Sequence, residues 1–200
     1  MAVSLMYYIV PATLLTKIAN SLRKMMRTSA TYTIDGMANL IGSNKAILAN
    51  SCGEHLVSGL SDNDFTEIEN IRAYGLYKHD YTGAPNFENL ESIGDYGCYY
   101  SKFTGVSLPK LKTIGNYAFG LCMHISGVIT LPMIETIGNR VFSSCTYIRT
   151  LTFGQKPTSI STTAFSGSSL TTINCPWAEG EVAGAPWGAT NATINYNYSE

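Results

Sequence analysis

The stretch Leu108-Pro109-Lys110-Leu111-Lys112-Thr113-Ile114-Gly115-Asn116-Tyr117-Ala118-Phe119-Gly120-Leu121-Cys122 decides the fold, because its central pattern recurs. Segments that begin at Ile71, Ile93, Ile114, Ile137 and Ile160 align with it, and these isoleucines stand 22, 21, 23 and 23 residues apart. At such a period each repeat is one supersecondary unit that cannot bury its apolar face alone, so successive units stack into a solenoid. With the leading Ile as position one, each column has a physical reading. Position one forms an internal ladder. Position two carries Gly94, Gly115 and Gly138, read as a tight turn that needs an unusual backbone angle. Position five is small (Gly75, Gly97, Ala118, Val141, Ala164), as close approach between coils requires. Position six is apolar (Leu76, Cys98, Phe119, Phe142, Phe165) and makes a second ladder. Position nine holds Ser101, Cys122, Cys145 and Ser168, and the two cysteines read as small buried packing residues.

Between these segments lie short apolar runs such as Phe103 to Leu108, Ile148 to Phe153 and Leu170 to Cys175. Their last three residues alternate as in a half-buried strand, and strands from successive coils are expected to join in one parallel sheet. Pro109 and Pro132 follow such runs and end them, because proline cannot donate to a ladder.

The stretch from Leu108 to Cys122, and again from Leu131 to Cys145, resembles the BspA-type leucine-rich repeat, whose pattern is roughly P-x-L-T-S-I-G-x-x-A-F-x-x-C. The resemblance covers about Ser61 to Pro176. The first repeat departs from it in Tyr77 to Tyr81, and the last carries Ser161 for glycine and Ser168 for cysteine. It implies an α/β-type leucine-rich-repeat solenoid with a parallel sheet over residues 61–176. A small helical module is expected over 1–60 and a C-terminal cap over 177–200.

Thr13 to Arg27 has a helical apolar stripe of Leu14, Leu15, Ile18, Leu22, Met25 and Met26, with Thr13 as N-cap. A second short helix is expected from Asp35. Leu15 to Arg23, followed by Thr33 to Ile41, resembles an N-terminal module of bacteriophage structural proteins. That resemblance implies a virion component of the tail, baseplate or fibre, attached through residues 1–60, with a homotrimer favoured. The apolar stretch from Met1 to Thr16 is too short to cross a bilayer and reads as mature chain, with no membrane insertion expected. At the other end Trp177 and Trp187 suit the covering of a last coil, and Ala192 to Tyr198 alternates as a strand.

A net charge of −1 argues against a nucleic-acid partner, which would need a basic face. The five cysteines form no CxxC pair, and the three histidines share no motif, so no catalytic residue, metal site or cofactor is expected. The side chains that stand out are tyrosines. Tyr74, Tyr96 and Tyr117 share position four, and Tyr77, Tyr81, Tyr99 and Tyr100 cluster nearby. Tyrosine combines contact area with a polar tip, so Tyr74, Tyr77, Tyr81, Tyr96, Tyr99 and Tyr100 are the candidate partner-binding residues. Packing on the edge of a stacked core is the other reading of the same residues. The expected function is therefore non-enzymatic. The repeats would face a host cell-surface glycan or protein, or other virion proteins. A secreted bacterial cell-surface adhesin of the same repeat family is the alternative.

Overall fold

The protein is described from a computed structural model that covers residues 62–66 and 68–199. A 3-10 turn at Asp62–Phe65 is followed by nine strands in the described residues: β1 (Asn70–Ile71), β2 (Ser92–Ile93), β3 (Thr113–Ile114), β4 (Ser126–Leu131), β5 (Thr136–Ile137), β6 (Tyr147–Phe153), β7 (Ser159–Ile160), β8 (Thr172–Asn174) and β9 (Thr193–Asn195). They form two parallel sheets, in the orders β1-β2-β3-β5-β7 and β4-β6-β8-β9. The leading isoleucines lie in the first sheet in strict register: Ile71, Ile93, Ile114, Ile137 and Ile160 pair in succession, and all are buried.

Two expectations are corrected here. A single sheet is expected from the repeat, but from the third coil onward each coil contributes a rung to both of two sheets. Ile at position one sits in a short strand of its own, and the alternating run makes the longer one. Phe103 to Leu108 makes no strand; Ser107 only bridges to Asn86. The repeat was also read as α/β-type. Among the described residues the only helix is the 3-10 turn, and the rest of each coil is tight turns. Two strands and their corners use up a coil of 21 to 23 residues, leaving no length for an α-helix. The expected helices at Thr13 to Arg27 and from Asp35 lie outside the described residues.

The turns are themselves a ladder. Backbone N–H groups at positions four, six and eight donate to carbonyls at positions three, five and seven of the next coil: Tyr96 to Asn116, Cys98 to Ala118 and Tyr100 to Gly120, each at 2.8 Å. Positions four and eight adopt left-handed backbone, with φ of 60° at Tyr74, 56° at Tyr96, 54° at Tyr117 and 58° at Tyr100. Position two does not, which corrects the reading of its glycines. Gly115 is there for close approach: a Cβ would lie 2.5 Å from Asp95 N in the preceding coil.

Inside, the position-six rings stack, with Phe119 and Phe142 at 5.6 Å and Phe142 and Phe165 at 6.4 Å. Position nine satisfies carbonyls of the preceding coil's position six. Ser101 Oγ donates to Leu76 O (2.6 Å), Cys122 Sγ to Cys98 O (3.0 Å) and Cys145 Sγ to Phe119 O (3.0 Å). The cysteines are thus buried packing groups that also discharge a polar duty, as buried carbonyls require. β4 ends at Leu131, where Pro132 follows. At the far end Trp187 is fully buried against Phe165, Trp177 packs beside it, and β9 adds a further rung to the second sheet.

Candidate functional site

Left-handed backbone costs a residue with a Cβ roughly 1–2 kcal/mol, and glycine or asparagine occupies it more cheaply. Yet positions four and eight of the early coils hold Tyr74, Lys78, Tyr96, Tyr100 and Tyr117. Alternation of left- and right-handed residues turns every second amide toward the next coil and throws these side chains onto the outer surface. The position-four tyrosines stack there in one column, and those of position seven in a second. Tyr74, Tyr96 and Tyr117 are parallel to within 3°, with ring centroids 5.1 Å apart at both steps. Tyr77 and Tyr99, from position seven, stack at 5.6 Å and 5°. The columns touch edge to face, Tyr74 on Tyr77 and Tyr96 on Tyr99.

The ladder is braced on both sides. Gly120 follows Tyr99 in its column, and a Cβ there would come within 2.9 Å of the Tyr99 ring. Along position three, and on to Thr163 at position four of the fifth coil, runs a polar ladder that the repeat pattern alone does not reveal. Asn116 N and Nδ2 donate to the Asp95 carboxylate (2.7 and 3.1 Å), Asn139 N and Nδ2 donate to Asn116 Oδ1 (both 2.8 Å), and Thr163 Oγ1 donates to Asn139 Oδ1 (2.8 Å). The sequence signal for it was the run Asp95, Asn116, Asn139 in one column. Two of the stacked phenols, Tyr96 and Tyr99, are held above their ordinary pKa. At Tyr96 the causes are loss of solvent first, then Tyr117, Tyr74 and Asp95; at Tyr99, loss of solvent first, then Tyr77 and Tyr96.

Five of the six candidate tyrosines share this face: Tyr74, Tyr77, Tyr96, Tyr99 and Tyr100. Tyr117, not among the six, completes the longer column. Tyr81 lies elsewhere. It packs on Phe65 at 5.1 Å, donates its hydroxyl to Asp62 Oδ1 at 2.5 Å and helps close the N-terminal end of the described stack. His79 packs against Phe65 and Phe103, while His124 is exposed in another coil. Among the described residues no three His, Cys, Asp or Glu side chains gather into a metal-binding group, and no helix is long and apolar enough to cross a membrane.

A repeating coil is also what comparison finds. The family model of the BspA type leucine rich repeat region matches six copies over residues 69–181, more than half of the chain. No curated protein matches the chain. The chain belongs to the BspA-type leucine-rich-repeat family.

Proposed function

We propose, taking membership of the BspA-type leucine-rich-repeat family as the premise, that this chain is a non-enzymatic interaction module of a bacteriophage particle. The repeat family supports protein–protein or surface interaction as the general role. The finer reading is a tail, baseplate or fibre protein, carried on the virion and joined to it, or to identical subunits, through residues 1–60. Its partners are a host-surface glycan or protein and neighbouring virion proteins.

One observation carries the binding role: large side chains occupy strained positions on the outside of the stack. Tyr74, Tyr96, Tyr100 and Tyr117 all have φ near +55° to +60°. Strain kept where a cheaper residue would serve the fold points to a use for the side chain. The virion assignment rests on Leu15 to Arg23 and Thr33 to Ile41, which resemble the attachment module of phage structural proteins.

The test is direct. Antibody raised against the repeats should label purified phage particles from the producing strain, and particles carrying Tyr74→Ser, Tyr77→Ser, Tyr99→Ser and Tyr100→Ser together should adsorb poorly to host cells. Labelling of the bacterial surface instead of particles would replace the virion reading with the adhesin. Normal adsorption by the quadruple variant would remove the tyrosines from the binding role.

A further inference from the structure

The stacking that orders the tyrosine face also decides which rings are free. Tyr96 has a neighbouring ring on both faces, Tyr74 on one and Tyr117 on the other. Tyr99 lies between the Tyr77 ring and the Gly120 backbone. Tyr77 has Tyr99 stacked upon it and the Lys78 ammonium over its ring at 5.3 Å. These three rings present edges and hydroxyls outward, not faces. Two tyrosines of this face are exposed: Tyr74, at one end of its column, at 48%, and Tyr100, at position eight outside both columns, at 43%. Lys78 occupies position eight of the preceding coil, directly below Tyr100, with its backbone N–H bonded to Tyr99 O at 2.8 Å.

The charged groups near this face differ in their partners. Lys102 is spent on Asp80 at 2.6 Å. Asp95 is engaged by Asn116. Among the described residues Lys78 makes no ion pair, and its ammonium is held by a ring alone. Two exposed rings, a cation held only on the Tyr77 ring and a row of phenol hydroxyls fit an extended polyhydroxylated ligand that carries negative charge. The ring faces accept the C–H faces of sugar rings, the hydroxyls exchange hydrogen bonds with sugar hydroxyls, and the cation takes an acid group.

We infer that the tyrosine face binds an acidic oligosaccharide, with Tyr74 and Tyr100 as the two sugar-stacking rings, Lys78 as the anion contact, and Tyr77, Tyr96 and Tyr99 as hydroxyl donors and acceptors. This rests on the reading of that face as a recognition surface. It separates the tyrosines into two classes that a simple aromatic patch would not have.

The test measures binding of the full chain to immobilised oligosaccharides bearing uronic acid, sialic acid or sugar phosphate, beside neutral counterparts of the same sugars. Acidic members should bind and the neutral ones should not, and binding should weaken with added salt. Lys78→Asn keeps a residue that tolerates left-handed backbone and should weaken binding about tenfold, as loss of one central contact does. Tyr100→Gly should abolish binding while raising thermal stability, because glycine relieves the backbone. Tyr96→Phe should weaken binding only slightly. The inference is overturned if neutral sugars bind as well as acidic ones, if Tyr100→Gly binds normally, or if no oligosaccharide binds. If no oligosaccharide binds and the quadruple tyrosine variant still loses host adsorption, the recognition face stands and only its glycan partner falls.

Discussion

The early and late coils of the solenoid place their turn-segment rings on opposite sides of the wall. In the first two coils position six is not aromatic, Leu76 and Cys98, and the rings of the turn segment lie outside as Tyr74, Tyr77, Tyr96 and Tyr99, while Phe87 and Phe103 of the same coils fill the core. In the third coil Tyr117 is outside and Phe119 inside. From the fourth coil onward the outer column holds Arg140 and Thr163, while Phe142, Phe165 and Trp187 fill the interior. Rings inside are removed from water and contribute to folding roughly in proportion to the area they bury. Rings outside give little burial and occupy strained backbone. The same residue class therefore serves stability at position six of the later coils and a surface at positions four and seven of the early ones.

The inner ladders are where the comparison should break most violently. Ile114→Asp places a charge at the centre of the first sheet, at a cost of several kcal/mol, because the side chain is buried in the ladder between Ile93 and Ile137. Chemical denaturation should show loss of a single cooperative transition; a protein that still unfolds in one step near the native midpoint would refute the ladder. Phe142→Ala should cost about 3–5 kcal/mol, since the ring is fully buried between Phe119 and Phe165.

Gly115→Ala should follow, costing about 1–3 kcal/mol by overpacking against Asp95 N of the coil before. Gly127→Ala makes a useful contrast. No neighbour stands in the way of its Cβ, but its φ is +90°, so any loss there reports backbone strain alone.

Alkaline titration sharpens the comparison from both sides. Burial pushes the Cys145 thiol up to about 12 from an ordinary 9, and Tyr96 and Tyr99 are raised from 10. Each group prefers its neutral form in the folded state, so its stabilising contribution is complete below the unfolded pKa. It declines as pH rises, from about 9 for the inner thiol and about 10 for the outer phenols. Melting temperature followed from pH 8 upward should fall in that window. Cys145→Ala should delay the onset, and native Cys98, Cys122 and Cys145 should resist a thiol reagent at pH 8 until the protein is unfolded.

The smallest effects belong to the outer face. Tyr96→Phe keeps the stack and removes only a hydroxyl, so the melting temperature should move by no more than a few degrees. Tyr100→Gly should be stabilising by about 0.5 kcal/mol, the relief of left-handed strain less the entropy glycine brings to the unfolded chain. A marked loss of stability in either would make the tyrosine face a part of the core.

Particular residues show how much could be read in advance. The isoleucine period, the small and apolar columns, the strand stop at Pro132 and the capping tryptophans were all legible, because burial in a stacked coil leaves a periodic trace in residue type. Position nine was legible as small, but its hydrogen bonds were not: serine and cysteine share a size, and only the next coil's placement shows that each donates to a position-six carbonyl. The glycines of position two looked like turn residues because unusual φ and close approach both select glycine; the space around Gly115 separates the two. Tyr81 looked like part of the tyrosine cluster because chain distance was the sole guide, and the fold sends it to Phe65 instead.

The sequence by itself determined that the chain stacks, with which period and with which side chains inside, since each coil exposes apolar area that only another coil can cover. The tertiary structure alone decided that there are two sheets, that the turns carry left-handed tyrosines, and that stacking closes some ring faces and leaves those of Tyr74 and Tyr100 open. Those features depend on backbone angles and on distances between coils, and residue type along one strand of text does not encode a distance to the next turn.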